Sequence, residues 1–134
     1  MTSHALSALV PAALVRHAAV SDGAPVPCVH HGVGAVLFAD ISGFTALSER
    51  LAARDAAAGA EELSRLVNAC FGVVVDTIEE FGGDVLRFAG DAPIALFSAD
   101  GSDGAAPDLP AAVGQAAACA VALQERMSRA RARE

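Results

Sequence analysis

Val36-Leu37-Phe38-Ala39-Asp40-Ile41-Ser42-Gly43-Phe44-Thr45 is the stretch whose reading decides the fold. Val36 to Ala39 are apolar and β-tolerant, bounded by Gly34 before and Asp40 after, which predicts a buried strand over residues 34–39. Ser42 and Gly43 make a tight turn. Thr45 and Ser48, with Glu49 behind them, are the residue types found at helix starts. A carboxylate at a strand end beside free helix amides can hold a cation and a phosphate together, because the amides satisfy anionic oxygens while the carboxylate takes a hard metal.

Outward from that stretch, the spacing predicts a short helix over residues 45–54, with Leu47 and Leu51 on one face. The Ala-rich run Asp55 to Gly59 ends in glycine and reads as a break. Leu63, Leu66, Val67, Cys70, Phe71, Val74, Ile78 and Phe81 then recur at steps of three or four, the apolar stripe of a long helix that Gly82-Gly83 stops. Asp84 to Ala89 and Ala92 to Phe97 are two short strands around Gly90-Asp91, a β-hairpin, with Pro93 expected at a strand start where no ladder N–H is required. Residues 100–108 read as an exposed loop. Pro110 opens a last helix, to about Arg129, with Val113, Ala116, Ala117, Ala120, Leu123 and Met127 on its apolar face. The order strand, helix, helix, hairpin, helix over residues 33–134 gives one α+β domain. Residues 1–32 precede it as a lead-in: an amphipathic helix carrying Leu6, Leu9, Val10, Leu14 and Val15, placed to pack on the domain or on a partner, then a loop.

Composition excludes several functions. The 134 residues suffice for one core, and 54% are hydrophobic, with Phe the only aromatic. A formal charge of -7 argues against nucleic-acid binding, which needs clustered Lys and Arg. Arg126, Arg129, Arg131 and Arg133 read as a charged tail with a solvated face. Cys28, Cys70 and Cys119 are far apart and odd in number; Cys70 and Cys119 fall in apolar helical patterns, so buried free thiols are expected there, in a reducing cytoplasm. No apolar run reaches the roughly 20 residues of a membrane span. His30 and His31 have no other ligand at metal spacing nearby and read as a solvated loop.

Asp40 and Asp91 are the candidate chemical residues. If the hairpin pairs alongside the first strand, both carboxylates reach one edge of the sheet, where they repel unless a cation sits between them. Oxygen ligands next to a polyphosphate favour Mg²⁺ or Mn²⁺ over zinc. Taken singly, each is more often an N-cap or a turn aspartate than a metal ligand.

Phe38-Ala39-Asp40-Ile41-Ser42-Gly43-Phe44-Thr45, Gly59-Ala60-Glu61-Glu62-Leu63 and Phe81 to Ala92, FGGDVLRFAGDA, resemble the class III nucleotidyl cyclases. The likeness is to the branch of soluble adenylyl cyclases and bacterial cyclase-like regulators, over about residues 34–130. It implies a ferredoxin-like nucleotidyl cyclase fold, incomplete here because the later strands are missing, and a dimer with sites between two catalytic domains. It implies conversion of ATP to cyclic AMP and pyrophosphate, with two Mg²⁺ ions on Asp40 and Asp91 and a backbone carbonyl from Ile41. Ser42, Gly43, Phe44 and Thr45 would hold the triphosphate. Arg87 stands where adenylyl cyclases usually carry a base-reading Lys, and its planar fork makes different hydrogen bonds from an ammonium. Gly82-Gly83-Asp84 also resembles diguanylate cyclases, but their motif continues Glu-Phe where Val85-Leu86 follows here.

The residues that stabilise the family's transition state come later than this chain extends, so turnover by the chain alone is not expected. The fourth strand of such a sheet pairs beside the first, leaving residues 36–38 as an exposed edge. Residues 1–134 alone are therefore expected to self-associate or unfold readily. Sedimentation and urea titration check this, and a monomer that unfolds cooperatively would count against it.

Overall fold

Three antiparallel strands in the order β1-β3-β2 form the only sheet among the described residues: β1 Gly34–Phe38, β2 Asp84–Ala89 and β3 Ala92–Ser98. Three helices accompany them, α1 Ala12–Val20, α2 Ala56–Glu80 and α3 Leu109–Arg131. The structure is a computed structural model that describes residues 10–20, 29, 31–40, 49, 56–100 and 106–131. The expected helix over 45–54, Cys28 and His30 lie outside those residues. The architecture is α+β, as expected of an incomplete cyclase-like fold.

β3 is central and buries alternate residues. Ala95 and Phe97 are fully buried, and they meet Val74 and Ile78 of α2 and Ala112, Ala116, Cys119 and Leu123 of α3. Leu37 and Val85 add to this core from the flanking strands. The opposite residues, Val36 with Leu96 and Phe38 with Ile94, pair on the other face. Val36 is 63% exposed and Phe38 59%, so that face is open where β1 crosses it. The outer edge of β1 pairs with no strand among the described residues, and this is where the resemblance sets a further strand.

Four local expectations change. Residues 56–59 are the first turn of α2 and form no break, because three alanines in succession favour helix enough to carry Gly59 with them. In α3 the buried stripe is Ala112, Ala116, Cys119 and Leu123, while Val113 is 50% exposed. So many alanines make two adjacent stripes almost equally apolar, and packing on the sheet chooses between them. Pro93 is the second residue of the central strand. Its carbonyl accepts Ala39 N at 3.2 Å. A residue's N–H and C=O point to the same neighbour in an antiparallel ladder, so the missing donor falls on the last β1 rung and costs nothing toward β2.

The fourth change is Arg126, which is no part of a solvated tail. It donates to Thr77 Oγ1 at 2.9 Å and to Glu80 at 2.7 Å, tying α3 to α2. Thr77 is fully buried, and its hydroxyl donates to Val73 O at 2.6 Å, so both its hydrogen-bonding roles are filled. Cys119 lies beneath this clamp as a buried free thiol, its pKa pushed up by burial.

The two glycines after α2 serve different ends. Gly82 adopts φ 80°, the left-handed turn that ends a helix. Gly83 instead lies where a Cβ would come within 2.7 Å of both Ile78 Cγ2 and Phe97 Cζ. Gly83→Ala is expected to destabilise the fold by about 1–3 kcal/mol through overpacking. Urea unfolding checks this, with Val121→Ala, exposed on α3, expected to be near neutral.

Candidate functional site

The β1–β3 register carries the end of β1 to the hairpin tip. Phe38 pairs with Ile94, and Ala39 N reaches Pro93 O. Two places further, Asp40 falls opposite Ala92, the neighbour of Asp91. Asp91 follows Gly90, whose φ of 68° turns the chain between β2 and β3. Both aspartates are exposed and stand at one end of the sheet. Ile41, Ser42, Gly43, Phe44 and Thr45 lie outside the described residues, so the carbonyl and phosphate roles implied for them have no geometry here.

Arg87 reaches the open face through a feature the sequence reading missed. Val85 pairs with Ala95 and Arg87 with Ile94, so Leu86 is an extra residue in β2, a β-bulge. Regular alternation would put Val85 and Arg87 on one face. The bulge lets Val85 and Phe88 both face the helices while Arg87 faces away with Ile94 and Phe38. Phe88 confirms the arrangement, packing edge-on against Phe71 of α2 with ring centroids 5.2 Å apart. The signal was present: Val85, Leu86, Phe88 and Ala89 are apolar on both sides of one charged residue, a pattern that period-2 alternation cannot satisfy.

A cleft of about 430 Å³ opens beside Asp40, between the end of β1 and the helices α2 and α3. Leu37, Val74, Leu123 and Met127 give it apolar walls, with Gln124 and Ser128 at hand. Among the described residues no three His, Cys, Asp or Glu side chains gather into a metal cage. Two exposed carboxylates nonetheless suit Mg²⁺, which keeps several waters and takes one or two carboxylates plus substrate phosphates.

No family model matches the chain. Part of it is similar to adenylate cyclase type 10 of three mammals. Identity is 41% over 75 residues with the rabbit protein, 43% over 68 with the rat protein and 42% over 72 with the human one. The chain is cyclase-like over about half its length. The shared segments are 55%, 50% and 53% of this chain but only 5%, 4% and 4% of those much longer relatives. The cyclase-like character thus stands on sequence similarity, and the α+β sheet agrees with it.

The hairpin tip supplies a direct check on the site's frame. Gly90→Ala meets no atom within 4 Å, so its whole penalty is the left-handed backbone. A loss of about 1–2 kcal/mol is expected in thermal or urea unfolding.

Proposed function

We propose that the cyclase-like segment is part of a class III adenylate cyclase-type catalytic domain, acting on ATP together with a second cyclase domain. The observation that supports this reading is the β1–β3 register, which leads the end of β1 toward the hairpin end of a sheet whose sequence is similar to adenylate cyclase type 10. Asp40, Asp91 and the carbonyl of Ile41 would hold Mg²⁺ or Mn²⁺. When bound, such ions supply charge neutralisation at the phosphates and lower the pKa of a coordinated hydroxyl.

The chain's own residues have four tasks. Asp40 and Asp91 concentrate negative charge at the sheet end, which draws a cation and orients it. The amides of Ser42 to Thr45 take the triphosphate oxygens. Arg87, on the open face, offers a planar fork to the base and fixes its position. Apolar Val36 and Phe38 on the same face give a second domain a surface to cover, excluding water. The reaction forms a bond from the ribose 3′-oxygen to the α-phosphorus and breaks the bond from that phosphorus to the bridging oxygen. The hydroxyl proton is lost, and pyrophosphate leaves with the electron pair.

The open sheet face favours one alternative, a non-catalytic cyclase-homology module that dimerises with or regulates a complete domain. Among the described residues no helix is long and apolar enough to cross a membrane.

Calorimetric titration with Mn²⁺ and assay of cyclic AMP from ATP separate the readings. Binding of the ion is expected for the chain and its loss for Asp40→Ala and Asp91→Ala. Turnover is expected when the chain is mixed with a complete homologous cyclase domain, and either substitution should abolish it. Association with the complete domain without metal-dependent turnover would establish the regulatory module instead.

A further inference from the structure

α1 borrows its N-terminal cap from a strand far along the chain. Asp84 opens β2, on the open face opposite Leu96. Its two carboxylate oxygens accept Ala12 N and Ala13 N, each at 2.8 Å. These are among the amides at a helix start that have no partner inside the helix. The helix has no acidic residue in its own first turn, and neither Val10 nor Pro11 before it has a side chain able to accept.

Among the described residues little else holds α1. Nine residues fall below the ~12–15 at which an isolated helix persists in water. Leu14 is 55% exposed and Val15 39%, as is Val10 just before the helix, at 41%. A cleft of about 830 Å³ lies between it and the edge of the sheet, with Val10 and Val15 on one wall and Arg87 and Phe88 of β2 and Val75 and Glu79 of α2 on the other. A well-packed helix leaves no such gap. The two hydrogen bonds to Asp84 therefore weigh heavily in whether residues 12–20 are ordered.

We propose that α1 is a detachable arm latched by the Asp84 carboxylate. Latched, the arm is helical and walls the cleft that contains Arg87. Released, residues 12–20 lose their helix, the cleft loses that wall, and the β2 edge of the sheet is uncovered. The device is an order–disorder switch whose two states differ by one local contact. It requires neither metal, nucleotide nor second domain, so it stands or falls apart from the catalytic reading.

Hydrogen exchange of the whole chain, followed by mass spectrometry without metal or nucleotide, tests the latch. Asp84→Ala is expected to speed exchange across Leu14–Val20 about tenfold, the ratio for losing a side-chain cap. Asp84→Asn, which keeps one oxygen acceptor, should fall between. Exchange in α3 should not change. Trypsin should cut after Arg16 faster in the order Asp84→Ala, Asp84→Asn, wild type. Val15→Pro, which breaks the arm from within and leaves Asp84 in place, should reproduce the effect on residues 14–20. Unchanged exchange over Leu14–Val20 in Asp84→Ala would overturn the proposal. So would an equal loss of protection in α3 in both Asp84→Ala and Val15→Pro, because the arm would then be a part of the core that cannot leave alone.

Discussion

The pairing of β1 with β3 is the constraint on which the rest of the structure depends. Because side chains alternate along a strand, a slip of one residue would exchange the faces of β1 throughout. Leu37 would leave the core, Phe38 would turn toward the helices, and Asp40 would move along the hairpin. The register is held from both sides. Ala95 and Phe97 are fully buried against α2 and α3 and cannot exchange places with Ile94 and Leu96 without emptying the core. Gly34 admits the approach of β3, since a Cβ there would lie 2.6 Å from Phe97 O. The candidate site is a by-product of this lock. Once Phe38 faces Ile94, the chain beyond it has to arrive at the hairpin tip.

The bulge at Leu86 resolves a conflict that the lock creates. From β2, Val85 packs against the core and Phe88, still 45% exposed, sets its ring on Phe71 of α2. They stand three apart, an odd spacing that a regular strand divides between two faces. Inserting one residue restores both to the helix side and turns Arg87 out. The position the resemblance assigns to base reading is thus reached by a departure from ideal strand geometry, paid for by two hydrophobic contacts on the opposite face.

Much of this was legible in the sequence. The long helix, the hairpin with its Gly-Asp turn and the last helix follow from periodicity and turn chemistry; where the strand end meets the hairpin depends on the hairpin pairing beside the first strand, which the β1–β3 register supplies. What was not legible has more than one cause. The break at 55–59 and the buried face of α3 were misread where alanine dominates. Alanine fits helix interiors, surfaces and cores alike, so a run of it carries no orientation. Arg126 was read with its charged neighbours, yet only the packing of α3 on α2 brings it within 2.9 Å of the buried Thr77 hydroxyl. The Asp84 latch was hidden for another reason: it joins residues 71 and 72 apart, and no local pattern announces a cap supplied from so far away.

The open face then ties assembly to chemistry. Helices cover one side of the sheet, and on the other Val36 and Phe38 lie beside Ile94 and Leu96 with water as their neighbour across much of their surface. Contiguous apolar surface of this kind favours a covering partner. The charged groups stand at its margins: Asp40 and Asp91 at the hairpin end, Arg87 on β2, Asp84 at the start of that strand. Any surface that covers the apolar middle removes water from those margins as well. An interaction between unit charges strengthens severalfold as the effective dielectric falls from that of water toward that of a protein interface. A cation or a phosphate at the sheet end would accordingly be held more firmly in the covered state, and its binding would in turn favour the cover. The arm at residues 12–20 adjoins the same margin. On the proposed reading, occupancy of the sheet end and covering of the face would favour each other through the water that each displaces.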